Sequence, residues 1–228
     1  MQLVEPNTLK KWNTIYAKGT DKRYPSIDLV RLERWFFGHP GSGKLLEYGC
    51  GTGVNTIHLL ECGYEVHAVD AAKGAIDLVT RKLDSRAELK ERARLRHIGE
   101  REERLPFSDD SFDFLVCVSV LSLLGSKDRV FHLFGEFRRV LKPGAKLILD
   151  INDSNSEFSG KNEYVGDNVY LYRGERGNED PMRTYCLPDE QSFIEIIEPY
   201  FNVDDVGHSG HKYLNRRINE FIVCCHKG

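Results

Sequence analysis

The stretch Leu45-Leu46-Glu47-Tyr48-Gly49-Cys50-Gly51-Thr52-Gly53 constrains the fold more than any other part of the chain. A short apolar run stops, and glycines then fall at every second position. Glycine has the most backbone freedom to lose on folding, so it weakens regular structure. Three within five residues describe a backbone that leaves a strand sharply and lets another body lie against it. A plain turn needs one glycine, not three. The following "VNTIHLLECG" has helical apolar spacing and ends on Gly63, a stop signal.

The same alternation continues. Residues 26–37 read as a helix, "YEVHAVD" as a second strand, and "AAKGAIDLVTRKLDSRAELKER" as one long charged helix. "ARLRHI" and "SFDFLVCVSVL" read as strands, the latter central because it is β-branched and aromatic. "KDRVFHLFGEFRRVLKPG" reads as a helix closed by Pro143-Gly144, and "AKLILDIN" as the next strand. Residues 153–186 turn polar and read as a lid or insertion. A short helix begins near Pro188. "FNVDDVGH" and "NRRINEFIVCCHK" read as a closing hairpin, with "GHSGHKY" in the turn. Alternating strands and helices predict an α/β fold, a doubly wound, mostly parallel sheet with helices on both faces. The last two strands predict an antiparallel C-terminal edge.

In open α/β sheets ligands bind beyond the carboxyl ends of the strands. The glycine loop lies at such an end. Its spacing is G-x-G-x-G, whereas the dinucleotide fingerprint would put its third glycine at position 54, which is Val54. This argues against NAD, and no Gly-Lys-Ser/Thr follows to make a P-loop. Asp70 ends the second strand, where a carboxylate accepts hydrogen bonds from a ribose diol or caps the next helix.

These motifs resemble those of class I S-adenosylmethionine-dependent methyltransferases. "LLEYGCGTGVNTIHLLECGYEVHAVDAA" is similar to the family's first two motifs. "LPFSDDSFDFLVCVSVLSLL", "FRRVLKPGAKLIL" and "FNVDDVG" follow in its order. The resemblance implies a Rossmann-like seven-stranded sheet and S-adenosylmethionine as cofactor. It implies that Glu47 orients the loop or the methionine amine, and that Gly49, Cys50, Gly51, Thr52 and Gly53 wrap the methionine part. Asp70 would hold the ribose and Ala71 would lie against the adenine. Glu100 or Arg101 would meet the adenine amino group, although "GEREERLPF" departs from the family pattern by an extra residue. Val118 and Ser119 would flank the sulfonium. A histidine common near position 122 is replaced by Ser122.

A neutral oxygen nucleophile needs a base within hydrogen-bond reach. The candidates are Asp150, Asp153, Tyr185, His208 and His211, with His208 and Asp150 taken as the catalytic pair. Trp12, Tyr16 and Tyr24 in "WNTIYAKGTDKRYP", with Tyr185 opposite, are taken as substrate or lid residues. The predicted organisation is a single methyltransferase domain over 1–228, with an N-terminal cap segment 1–40 and a lid 153–186. The acceptor is expected to be a small molecule, a hydroxyl of a sugar-like or secondary metabolite. The alternatives are a soft thiol or chalcogen nucleophile, or a binding subunit that transfers nothing.

Net charge is −3, which favours neither nucleic acid nor an anionic membrane. The six cysteines show no framework spacing and read as free thiols in a cytoplasmic setting, with no metal expected. The state expected is monomer or homodimer.

Overall fold

The structure is a computed structural model and describes residues 6–99, 103–157, 159, 163–174, 180–213 and 216–228. Helix α1 spans Pro6–Ala17 and α2 spans Ile27–Leu32, the latter capped by Ser26 through Leu29 N–H and continued by a π-turn over Glu33–Phe37. Strand β1 (Lys44–Tyr48), helix α3 (Val54–Glu61), strand β2 (Glu65–Asp70) and helix α4 (Lys73–Leu83) follow. The long charged helix expected over 71–92 breaks into α4 and a short α5 (Ala87–Glu91), with Arg86 between them in a non-helical conformation. Then come β3 (Ala93–His97), β4 (Phe112–Cys117) and a single 3₁₀ turn, Leu121–Leu124. Helix α6 (Lys127–Val140) is capped by Ser126.

Pro143-Gly144 does not close that helix. Strand β5 (Leu141–Asn152) already contains both residues, and the Gly144 N–H donates to Lys227 O at 2.7 Å. The polar segment after it carries a small antiparallel sheet of β6 (Glu163–Gly166), β7 (Val169–Tyr172) and β8 (Met182–Tyr185). Helix α7 (Glu190–Ile197) is capped by Asp189. The chain closes on β9 (Asn202–Tyr213) and β10 (Arg216–His226).

The main sheet has seven strands in the order β3-β2-β1-β4-β5-β10-β9. The first five are mutually parallel, and β10 runs antiparallel to both β5 and β9. The antiparallel strand is therefore second from the edge, and β9 forms the edge itself. The sheet is apolar on both faces. Helices α6 and α7 cover one face, where Phe134, Phe137 and Phe193 pack on Leu115, Leu147, Leu149 and Ile151. Helices α2, α3 and α4 cover the other, where Leu29, Leu59 and Val79 pack with Leu45, Ala68, Val116 and Ile148. Burying a large aliphatic or aromatic side chain contributes roughly 1.5–3 kcal/mol, so these two layers dominate stability. No helix among the described residues is long and apolar enough to cross a membrane.

Candidate active site

The three glycines of the loop all adopt left-handed φ, at +81° for Gly49, +53° for Gly51 and +75° for Gly53. Each serves a different need. A Cβ on Gly49 would meet Val120 Cγ2 at 2.3 Å, and one on Gly53 would meet Val79 Cγ2 of α4 at 2.5 Å. Those two permit close packing of protein on protein. A Cβ on Gly51 would meet only the Tyr16 hydroxyl, at 3.1 Å, and would point into a cavity of about 420 Å³.

That cavity lies beyond the carboxyl ends of β1, β2 and β4. Gly49, Cys50, Gly51 and Thr52 form its floor, Asp70, Ala71 and Ile98 one side, and Val118 and Ser119 another. Thr8, Leu9, Trp12 and Tyr16 of α1 cover it, with Trp12 and Tyr16 stacked at 5.9 Å between centroids. Tyr24 lines its mouth and is largely exposed.

Asp70 organises the floor. Its Oδ2 accepts from Gly51 N–H and its Oδ1 from Ala72 N–H, each at 2.8 Å. It thus ties the turn before α4 to the glycine loop; Ala72, not Asp70, stands at the helix cap. Burial raises its pKa, against the pull of the Ala72 and Gly51 N–H groups. Glu47 is buried behind the loop and does not line the cavity. Its Oε2 accepts from Thr56 Oγ1 at 2.5 Å, fixing the first turn of α3. Burial pushes its carboxyl up to about 8.

The opposite end of the cavity is charged. Ser119 has φ +60°, and its N–H donates to Asp150 Oδ1 at 2.6 Å, so the buried Asp150 supports the wall from beneath. Asp28, Glu220, His211 and Lys22 complete this end. Strand parity explains the grouping. Glu220 is opposite Ser209 and Ile218 opposite His211 in the β9–β10 ladder, so all four side chains share the face toward α2. Ser209 Oγ donates to Asp28 Oδ2 at 2.8 Å. Burial and then the Glu220 charge push the Asp150 carboxyl well up. Burial raises Glu220 as well, with Lys22 opposing.

Two of the expected site residues do not line this cavity. His208 is on β9, not in a turn, and the same parity turns it to the α7 side of the sheet. There it packs on Phe221 at 5.4 Å and pairs with Asp153 at 3.4 Å, away from the cavity. Tyr185 lines a different cavity of about 440 Å³, with Arg183, Asp167 and Ile196, between the small sheet and α7. Gly53 is at the helix start, outside the cavity lining. Glu100 and Arg101 lie outside the described residues. Sequence reading missed Glu220, Asp28 and Lys22. The only signal for Glu220 was its parity with Ile218 and Ile222 along β10.

The cavity suits a ligand with both polar and apolar parts. Thr8 Oγ1 and Trp12 Nε1 are buried without a hydrogen-bond partner among the described residues, and both belong to residues that line it. Such atoms cost free energy unless a bound molecule supplies the missing partner. Gly51 adds a bare backbone surface. The residues present therefore fit S-adenosylmethionine, which combines a purine, a ribose diol and an amino-acid tail.

A methyltransferase-domain family model matches residues 46–149. YqeM of Bacillus subtilis (strain 168), which bears a methyltransferase name, is 27% identical over 82% of this chain and 74% of its own. A solved S-adenosylmethionine-dependent methyltransferase from Methanosarcina mazei superimposes with a TM-score of 0.71 at 20% identity, covering 90% of this chain and 99% of that one. The Burkholderia thailandensis 1,6-didemethyltoxoflavin-N1-methyltransferase, solved with S-adenosylhomocysteine, superimposes with a TM-score of 0.66 at 17% identity over 96% of this chain and 86% of that one. Residues 46–149 thus match a methyltransferase domain, and over most of its length the chain is similar to S-adenosylmethionine-dependent methyltransferases.

Proposed function

We propose that the chain methylates a hydroxyl group of a small polar molecule, with Glu220 as the proton acceptor. One observation carries this reading. The cavity has two chemically distinct ends, a bare glycine floor with Asp70 at one and a cluster of Glu220, Asp28 and His211 at the other, with Val118 and Ser119 between them.

Bound S-adenosylmethionine supplies an electrophilic methyl group on a positively charged sulfur, and leaves as a neutral thioether. The chain's residues then bind, orient and exclude water. Each Asp70 oxygen accepts one backbone N–H and keeps lone-pair capacity for a ribose hydroxyl. Ala71 and Ile98 offer an apolar slot for the purine. The loop from Gly49 to Thr52 cradles the amino-acid tail, while Glu47 and Gly53 hold that loop in place from behind. Trp12 and Tyr16 cover the site, and Tyr24 stands at its mouth. In-line attack needs the acceptor oxygen close to the methyl carbon, a matter of positioning. Glu220 takes the hydroxyl proton as the new C–O bond forms, and its raised pKa suits that task better than an ordinary surface carboxylate. Asp150 acts as a positioning residue through Ser119 N–H.

A thiol acceptor is the second reading. It is ionised more readily and would not depend on Glu220. The test is a panel of hydroxyl, amine and thiol compounds with methyl-labelled cofactor. Label on a hydroxyl compound, lost in Glu220→Gln, supports the proposal. Label on thiols alone, unchanged in that variant, contradicts it, and no transfer to any acceptor class would favour a binding subunit.

A further inference from the structure

Outside the cavity lining, the last turn of α3 meets the π-turn that follows α2. Glu33 is 2% exposed there, an unusual place for a carboxylate. Its Oε1 accepts the Tyr64 hydroxyl at 2.9 Å, and both of its oxygens lie 3.0 Å from His39 Nδ1. His58 and Cys62 project from α3 at i and i+4, one above the other on the same helix face. The Cys62 sulfur lies 3.7 Å from His58 Nε2. One ligand atom each from Glu33, His58 and Cys62 falls within 4.8 Å of the others.

We infer that Glu33, His58 and Cys62 form a binding site for a zinc-class divalent transition metal ion, with His39 holding the Glu33 carboxylate from outside. Four ligands on a tetrahedral zinc ion stand about 3.3–3.8 Å from one another, from metal–ligand lengths near 2.0–2.3 Å. The His58–Cys62 pair is already at that separation, and the carboxylate is within a side-chain adjustment of it. The donor set of one thiolate, one carboxylate and one neutral imidazole balances a 2+ charge, so a partly buried site bears no net charge. The Tyr64 hydroxyl then acts on the ligating carboxylate from outside, as partners of metal ligands commonly do.

The backbone is built to hold these groups together. His39 has φ +48°, a left-handed conformation that non-glycine residues seldom adopt. A Cβ on Gly63 would lie 2.3 Å from Gly41 O, so the turn after α3 is pressed on the turn that carries His39. Ion binding releases the Cys62 thiol proton to solvent. None of the four residues lines the methyl-transfer cavity. The ion would pin the π-turn to α3, as a structural element.

The test is a titration of chelator-treated full-length protein with Co²⁺ as the spectroscopic substitute, and with Zn²⁺ in thermal melts. The expected result is one ion per chain, a sulfur-to-cobalt charge-transfer band absent in Cys62→Ser, and affinity reduced tenfold or more in His58→Gln. Zn²⁺ should raise the melting temperature of the wild type and leave that of Cys62→Ser unchanged. Circular dichroism of the metal-free variants checks that each still folds. Absence of the band in the wild type, or cobalt binding that Cys62→Ser leaves unaltered, would overturn the assignment.

Discussion

Gly51 donates its backbone N–H to Asp70 Oδ2 at 2.8 Å, so the middle of the glycine loop and the end of the second strand are one unit. The loop's shape is therefore set by the same carboxylate that the sequence offered as a ribose ligand. Any change at Asp70 acts on both.

Asp70→Ala should weaken S-adenosylmethionine binding by about 1–3 kcal/mol, the scale for losing hydrogen bonds to a charged acceptor. It also strands the Gly51 and Ala72 N–H groups, so the melting temperature should fall with it. Calorimetry and a thermal melt measure the two effects. Wild-type affinity in a folded variant would remove Asp70 from the binding site.

Gly51→Val should reduce cofactor affinity by at least about tenfold. The side chain would enter the cavity beneath Tyr16, and left-handed backbone costs a non-glycine residue roughly 1–2 kcal/mol. A cooperative melt shows that the variant folds. Unchanged binding in such a variant would defeat the close-approach argument.

Glu220→Gln should lower kcat on an oxygen acceptor by about 10²–10⁴-fold, the range for a lost general base. The sign of the pH effect follows from the direction of its shift. The base works only when deprotonated, and its pKa is raised, so wild-type activity should climb with pH through a point above the usual carboxylate range. The groups facing it are Lys22 and His211, which favour the charged form, and Asp28 and Asp150, which oppose it. The Gln variant should lose that rising limb. A pH–rate profile with the same limb in both proteins would assign the base elsewhere.

His211→Ala and His208→Ala should part company. The first alters the cavity wall and should raise KM for the acceptor severalfold. The second removes a half-exposed imidazole from beside the buried Asp153 on the far face, away from the cavity, and should leave both kcat and KM as they were. Steady-state kinetics decide it; loss of activity in His208→Ala alone would reverse the assignment.

The order of strands and helices was legible because each element carries its own period and stop signal. The glycine loop was legible because three left-handed positions in five residues need glycine. Parity was not. Whether His208 or His211 faces the cavity depends on where β9 begins and on its register with β10, and "GHSGHKY" looks like a turn when its glycines are read alone. Gly207 and Gly210 instead sit within a long strand. Glu220 stayed hidden for the same reason, since a single acid among isoleucines declares itself only once the strand's faces are known. The break between α4 and α5 was masked by a charged stretch whose pattern runs on through Arg86. The cluster at Glu33, His58 and Cys62 joins two segments that no local pattern links.

Isothermal titration with S-adenosylmethionine and S-adenosylhomocysteine, with NAD as control, tests the central claim most directly. The account predicts one site per chain with affinity on the order of micromolar for both sulfur compounds, and none for NAD. Binding of NAD, or of none of the three, would contradict it.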